Sequence, residues 1–303
     1  MVYDPFLEKD AAIQRPGDKT FRALGAASRP ERQRLLAAYS YDITPVSDDR
    51  PYFYWVRGRG GAPGPGGWLY PMASAQWLFV LALILSVGMA ALPGVLLVRR
   101  GERVGPALRA MPFFVASGFA FILAENGLFL LLSLFVGGPL YSLSVVLPSL
   151  LVGYAMGSLV ALRVASATRA GAVRLIAIYV VGFGALLAAA YWLLPSMIGF
   201  SVELRLAAAV GTVVPFGAVL GLGTPWYMEI LKVRSPVQKS LAWMWGVSAA
   251  ANVVGSLLFV PVCRQLGVRG TFLLAGLLYV AALSWAASRR GRGSVLRSVH
   301  SSP

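Results

Sequence analysis

From residue 73 onward the chain runs apolar for twenty residues or more, again and again, and this feature constrains the fold more than any other. About 20 apolar residues rising ~1.5 Å each cross the ~30 Å of hydrocarbon in a bilayer. Seven such runs stand near 73–98, 112–136, 140–165, 174–195, 205–224, 241–262 and 270–288. In lipid every backbone N–H and C=O must be bonded within its own segment, so apolar runs of this length predict helices. The expected fold class is an all-α polytopic membrane protein of about seven transmembrane helices. Only Gly137-Gly138-Pro139 separates the second run from the third, which predicts a tight turn between antiparallel helices. The fifth run is interrupted by Pro215, Gly217, Gly221, Gly223 and Pro225.

Composition agrees with a bilayer as solvent. Hydrophobic residues make up 57% and charged residues 13% of the 303, with a mean hydropathy of +0.69. Soluble domains average about 45–50% apolar and about 25% charged, so an ordinary soluble enzyme is excluded. The single cysteine, Cys263, allows no disulfide framework within the chain and no thiolate metal cluster. The single histidine, His300, leaves no material for a Ser-His-Asp triad or a multi-histidine metal site. No glycine-rich phosphate or dinucleotide loop is found, and no cofactor is expected.

The net charge of +15 suggests nucleic acid until the cations are placed. Arg99, Arg100, Arg103, Arg109, Arg163, Arg169, Arg174, Lys232, Arg234, Lys239, Arg289, Arg290, Arg292 and Arg297 fall at one face of a seven-span bundle. Arg57, Arg59, Arg205, Arg264 and Arg269 fall at the other. Basic residues concentrate on the cytoplasmic side of membrane proteins, so the C-terminus is expected in the cytoplasm and no nucleic-acid partner is expected. With seven spans the N-terminal segment lies outside, and its own eight further cations oppose that placement.

Eight of the twelve acidic residues precede residue 50, which marks 1–57 as water-facing. The first ten residues hold no apolar core of a secretory signal. Ser28-Arg29-Pro30-Glu31 fits a capping box and predicts a short helix to about Tyr39. Residues 58–72 are expected to be a Gly/Pro-rich linker, 73–290 the membrane domain and 291–303 a basic, disordered tail.

Few residues at membrane depth carry chemistry. Glu125-Asn126 lies mid-span, where an ionised carboxylate costs roughly 2.5–3.5 kcal/mol, so it should face the bundle interior, be paired or hold its proton. Glu125 is either a proton- or cation-coupled site or a hydrogen-bonded lock between helices. Ser248, Asn252, Gly255 and Ser256 share one stripe of the sixth span, with Trp243 and Trp245 at its entrance. Ser142, Ser149, Gly153 and Gly157 repeat the pattern in the third span, where Pro148 is expected to kink the helix. Gly153–Gly157 and Gly217–Gly221 are GxxxG matches, a signature of close helix packing. Asp48-Asp49-Arg50-Pro51 reads more readily as a turn with neutralised carboxylates than as a metal or acid–base pair. Tyr52 to Trp55 suits an interfacial anchor.

Three stretches together resemble the membrane-embedded, spermidine synthase-like proteins of bacteria. Asp42 to Tyr54 (DITPVSDDRPYFY) is similar to the family's signature where its soluble domain ends. Glu125 to Arg163 is similar to a family helix pair, with Gly138 in place of the usual turn histidine and Leu131 near a frequent arginine. Trp243 to Gly255 (WMWGVSAAANVVG) is similar to a third family helix. Spans two to seven also resemble a major facilitator half. The resemblance implies a bacterial inner-membrane domain without the catalytic Rossmann domain. Such a domain would anchor or scaffold an aminopropyltransferase-like Rossmann domain or subunit. The rival expectation is a half-transporter that dimerises and passes polyamines or other small cations by Glu125 and Asn252.

Overall fold

The computed structural model describes residues 73–232 and 240–299, apart from Arg103 and Ala167, together with Ser28, Pro30, Glu31 and Arg34. Within these, side chains are described except at 73–76, Pro106 and 289–299. The chain divides into two compact units, Met1–Val46 with Tyr52–Met72 and Ser47–Pro51 with Ala73–Pro303. The linker at 58–72 and the segment Asp42 to Trp55, with Asp48, Asp49, Arg50 and Pro51, lie outside the described residues.

In the first unit one half of the expected capping box is present, with the Glu31 side chain reaching back to Ser28. Both the backbone N–H and the hydroxyl of Ser28 donate to Glu31 Oε2, at 3.0 and 2.7 Å. The hydroxyl bond, then the backbone bond, holds the Glu31 carboxyl below the ordinary carboxylate range.

The described part of the second unit is helical throughout. In chain order it comprises α1 (Ala73–Arg99), α2 (Gly105–Val136), α3 (Pro139–Val164), α4 (Arg169–Ala188), α5 (Val202–Gly221), α6 (Gly223–Lys232) and α7 (Leu241–Val299). A π-helical turn at Ala189–Leu193 and a short turn at Leu194–Ser196 extend α4. The π turn precedes Pro195, whose missing N–H breaks the α-helical ladder. Among the described residues, six helical stretches are long and apolar enough to cross a membrane.

Most expected boundaries fall within a few residues of the observed ones, and the exceptions have physical causes. The helix α2 starts seven residues before Pro112, because Pro106 sits in its first turn, where a missing N–H costs nothing. It ends at Gly137, whose φ of 90° places it in the left-handed region that glycine enters without strain. Pro139 then opens α3, which completes the tight turn read from the sequence. Pro148 lies within α3, which is one continuous helix. The fifth stretch runs on from α5 through α6 to Leu231, well past the expected end at 224.

The last stretch differs most. Where the sequence predicts two spans at 241–262 and 270–288, α7 is one run interrupted at Gly267, where φ 74° and ψ 174° are not helical. Its apolar part is 48 residues long, about 72 Å at ~1.5 Å per residue. Before Gly267, Ser248 and Asn252 lie against Gly118 of α2, and Gly255 lies against Phe119 and Ile122. After Gly267, Phe272 lies against Gly127, while Trp285 Nε1 donates to the carbonyl of Arg109. Contacts on α2 therefore ascend before the glycine and descend after it.

The packing core has α2 and α7 at its centre, with α3 against α5. Phe113 and Phe114 of α2 stack with Tyr227 of α6, the closer centroids 4.3 Å apart. Tyr179 and Phe183 of α4 meet Tyr279 of α7, and Phe183 meets Phe216 of α5 edge-on. The two GxxxG segments pack on each other. A Cβ at Gly153 would stand 3.0 Å from Gly217 Cα, and one at Gly217 would stand 2.6 Å from the Leu150 carbonyl. The helix α1 is peripheral, burying 11% of its most apolar stretch against 44% for α2.

Candidate functional site

A proline in the wall of the bundle organises the site. Pro225 has no N–H to offer the carbonyl of Gly221 one turn earlier, and its ring crowds that carbonyl. In hydrocarbon an orphaned carbonyl costs several kcal/mol, so another donor must reach it. Ser158 Oγ of α3 donates to Gly221 O at 3.1 Å. Tyr179 of α4 joins the two sides of the break. Its hydroxyl donates to Leu220 O at 2.8 Å and accepts from Gly223 N at 3.2 Å. Beside the break, Tyr154 Oη donates to Thr224 Oγ1 at 3.1 Å.

Against this junction lies a cavity of about 190 Å³, lined by Ser117, Gly118, Phe121, Leu151, Tyr154, Thr224, Trp245, Ser248, Asn252 and Tyr279. It sits near the middle of α2, of α3 and of the first part of α7, at mid-membrane depth. Gly118 makes room for two of its polar groups. A Cβ there would stand 2.9 Å from Ser248 Oγ and 3.1 Å from Asn252 Oδ1. Ser117 Oγ bonds back to Phe114 O and so keeps its lone pairs for the cavity side. Asn252 Oδ1 is buried, and among the described residues no donor bonds to it. Two of the lining residues, Leu151 and Trp245, are 63% and 50% exposed, so the cavity opens on the flank between α3 and α7.

Of the residues singled out from sequence, Ser248 and Asn252 stand together in this cavity. Glu125 and Asn126 do not line it. Glu125 lies on α2 one turn beyond Phe121, about 6 Å farther along the axis, and is half-buried, as is Asn126. The two entrance tryptophans part company. Trp245 lines the cavity, whereas Trp243 is buried between helices and donates through Nε1 to Ala90 O of α1 at 2.6 Å.

Sequence reasoning passed over Ser117, Tyr154, Ser158, Tyr179 and Thr224. The usable signal was Pro225, since a proline at membrane depth requires a hydroxyl neighbour for the freed carbonyl. Among the described residues no three His, Cys, Asp or Glu side chains converge as a metal would need.

The fold and this site define a multi-pass helical membrane protein embedded in a lipid bilayer. No family model, no curated protein and no solved structure matches the chain.

Proposed function

We propose that this chain is a bacterial inner-membrane domain of the spermidine synthase-like kind, and that its central cavity binds and passes a small amine-bearing solute. The observation that carries this reading is the buried Asn252 Oδ1, an acceptor with no donor among the described residues, on a side chain that lines the central cavity. Its surroundings are hydroxyls and the rings of Phe121, Trp245 and Tyr279. Acceptors and aromatic faces together suit an ammonium group, which supplies donors to the first and a cation to the second. At about 30 Å³ per water, about 190 Å³ holds a short diamine and little more. Glu125, one turn away on the same helix, is the nearby group that balances the charge of a passing cation.

The chain crosses the membrane seven times in this reading, with α7 folded back at Gly267. The opposite order of contacts along α2 supports that count, and the arginine-rich ends support a cytoplasmic C-terminus. The flank between α3 and α7 is where a second copy closes the cavity, giving a homodimer of two half-transporters. An anchoring role for an aminopropyltransferase-like partner, resting on the Asp42–Tyr54 signature, is compatible with this and needs no catalytic residue here.

The test is putrescine binding by the purified full chain, with uptake into proteoliposomes, for wild type, Asn252→Leu and Glu125→Gln. Leucine removes a buried acceptor without a partner, a group that costs about 1–3 kcal/mol, so stability should hold or rise. Putrescine binding should fall at least tenfold in the same variant. Glu125→Gln should retain the fold and lose uptake. A loss of stability in Asn252→Leu with binding intact would mean that Asn252 is structural glue, and the solute reading would be abandoned.

A further inference from the structure

A second hollow lies apart from the central cavity, nearer the N-terminal end of α2. It is a groove of about 690 Å³ between α1, α2 and the start of α7, walled by Ala91, Val95, Leu108, Met111 and Trp243 and ending at Arg99. The Trp243 ring packs on Gly94 and its Nε1 is tied to Ala90 O, so this side chain fixes α1 to the start of α7 along one wall of the groove. Along α1 the groove extends from Val87 to Arg99, about 18 Å of helix, which is the depth of one leaflet of a ~30 Å hydrocarbon core. Arg99 lines the groove, and the guanidinium groups of Arg99 and of its neighbours Arg100 and Arg109 are exposed, with no hydrogen-bond or ion-pair partner among the described residues. No acidic side chain lines it.

We infer that this groove is a binding site for an anionic phospholipid, with one acyl chain along α1 and the headgroup phosphate on Arg99, flanked by Arg100 and Arg109. An apolar channel one leaflet deep, closed by unpaired cations at interface level, matches both halves of such a molecule. A zwitterionic lipid satisfies the channel without satisfying the arginines. The inference is independent of the central cavity and of what passes through it.

The experiment is native mass spectrometry of the full chain, released from detergent with phosphatidylglycerol or phosphatidylcholine of identical acyl chains. Phosphatidylglycerol should be retained about fivefold better, the ratio that ~1 kcal/mol from one arginine, Arg99, gives near an anionic headgroup. Arg99→Gln should reduce retention to the phosphatidylcholine level with an unchanged unfolding temperature, because Arg99 has no partner among the described residues. Arg99→Lys should keep most of the preference. Ala91→Phe, which narrows the channel, should weaken both lipids. Equal retention of the two lipids by wild type would overturn the inference, and so would an Arg99→Gln variant that still prefers the anionic one. Competition by water-soluble glycerol phosphate as strong as by the lipid would assign the arginines to a free anion. Disulfide cross-linking of Ala91→Cys to a second chain would assign the groove to another copy, and either result rejects the lipid site.

Discussion

Pro225 shows how single side chains hold this bundle together. The carbonyl it leaves free is taken by Ser158, and the Tyr179 hydroxyl bridges Leu220 and Gly223 across the break. Tyr179 is fully buried, so a phenylalanine there leaves its two backbone partners with no alternative donor or acceptor. Tyr179→Phe should therefore lower stability by about 1–2 kcal/mol, near the upper end for polar contacts in membranes, and Ser158→Ala by ~0.6 kcal/mol. Unfolding in graded sodium dodecyl sulfate would measure both. A Tyr179→Phe variant as stable as wild type would show that the break needs no bridge. Pro225 was visible in the sequence as an interruption, but its repair was not. The donors come from residues 67 and 46 positions earlier, on two other helices, and no local pattern relates them. Asn252 was legible for the opposite reason, because an amide in an apolar span stands out whatever surrounds it.

Among elements, the pair α3 and α5 depends on where glycine stands. Gly157 faces the backbone of Ala218, which cannot rotate away, whereas Gly211 of α5 is exposed with nothing within 4 Å of a would-be Cβ. Gly157→Ala should cost about 1–3 kcal/mol as an overpacked contact. Gly211→Ala should be neutral or stabilising by about 0.5–1 kcal/mol, since it only removes chain entropy from the unfolded state. Thermal unfolding in detergent compares them, and equal effects would mean that the two helices do not meet as described. The sequence displayed both GxxxG pairs and the lengths of the apolar runs, because periodicity and hydropathy are local. It did not reveal that the two pairs pack on each other. Gly267 illustrates the same boundary: the apolar pattern fades around 263–269, which marks two spans, yet the helix continues to either side of one residue with left-handed φ.

For the whole molecule, the decisive quantity is the number of crossings, because it fixes the side of every loop. An apolar helix of 48 residues, about 72 Å, is more than twice the thickness it has to cross. If α7 turns back at Gly267, its two ends lie on one side and Gly267 on the other. The ends bearing Arg99, Arg100, Arg109, Arg163, Arg169, Arg174 and Lys232 then share that first side. On the opposite side Arg205 Nη1 is bound to the Phe135 carbonyl at 2.8 Å and Arg269 lies 3.8 Å from the centre of the Tyr191 ring. The few cations there are thus engaged with the protein, as expected on the translocated side, where positive charge is disfavoured. Reporter fusions should accordingly be active in the cytoplasm when placed after residue 303 or within 233–239, and active in the periplasm when inserted at Gly267 or Gly138. Accessible cysteines introduced at the same positions should be labelled from the matching sides in intact cells. A Gly267 fusion on the same side as the C-terminus would reduce the count to six crossings and would move the N-terminal segment to the cytoplasm. Residues 1–57 carry eight of the twelve acidic groups and nine cations besides. That inverted result would relieve the translocation of this segment at the cost of a helix too long for its membrane, so the fusion at Gly267 decides between two physical costs that the sequence sets against each other.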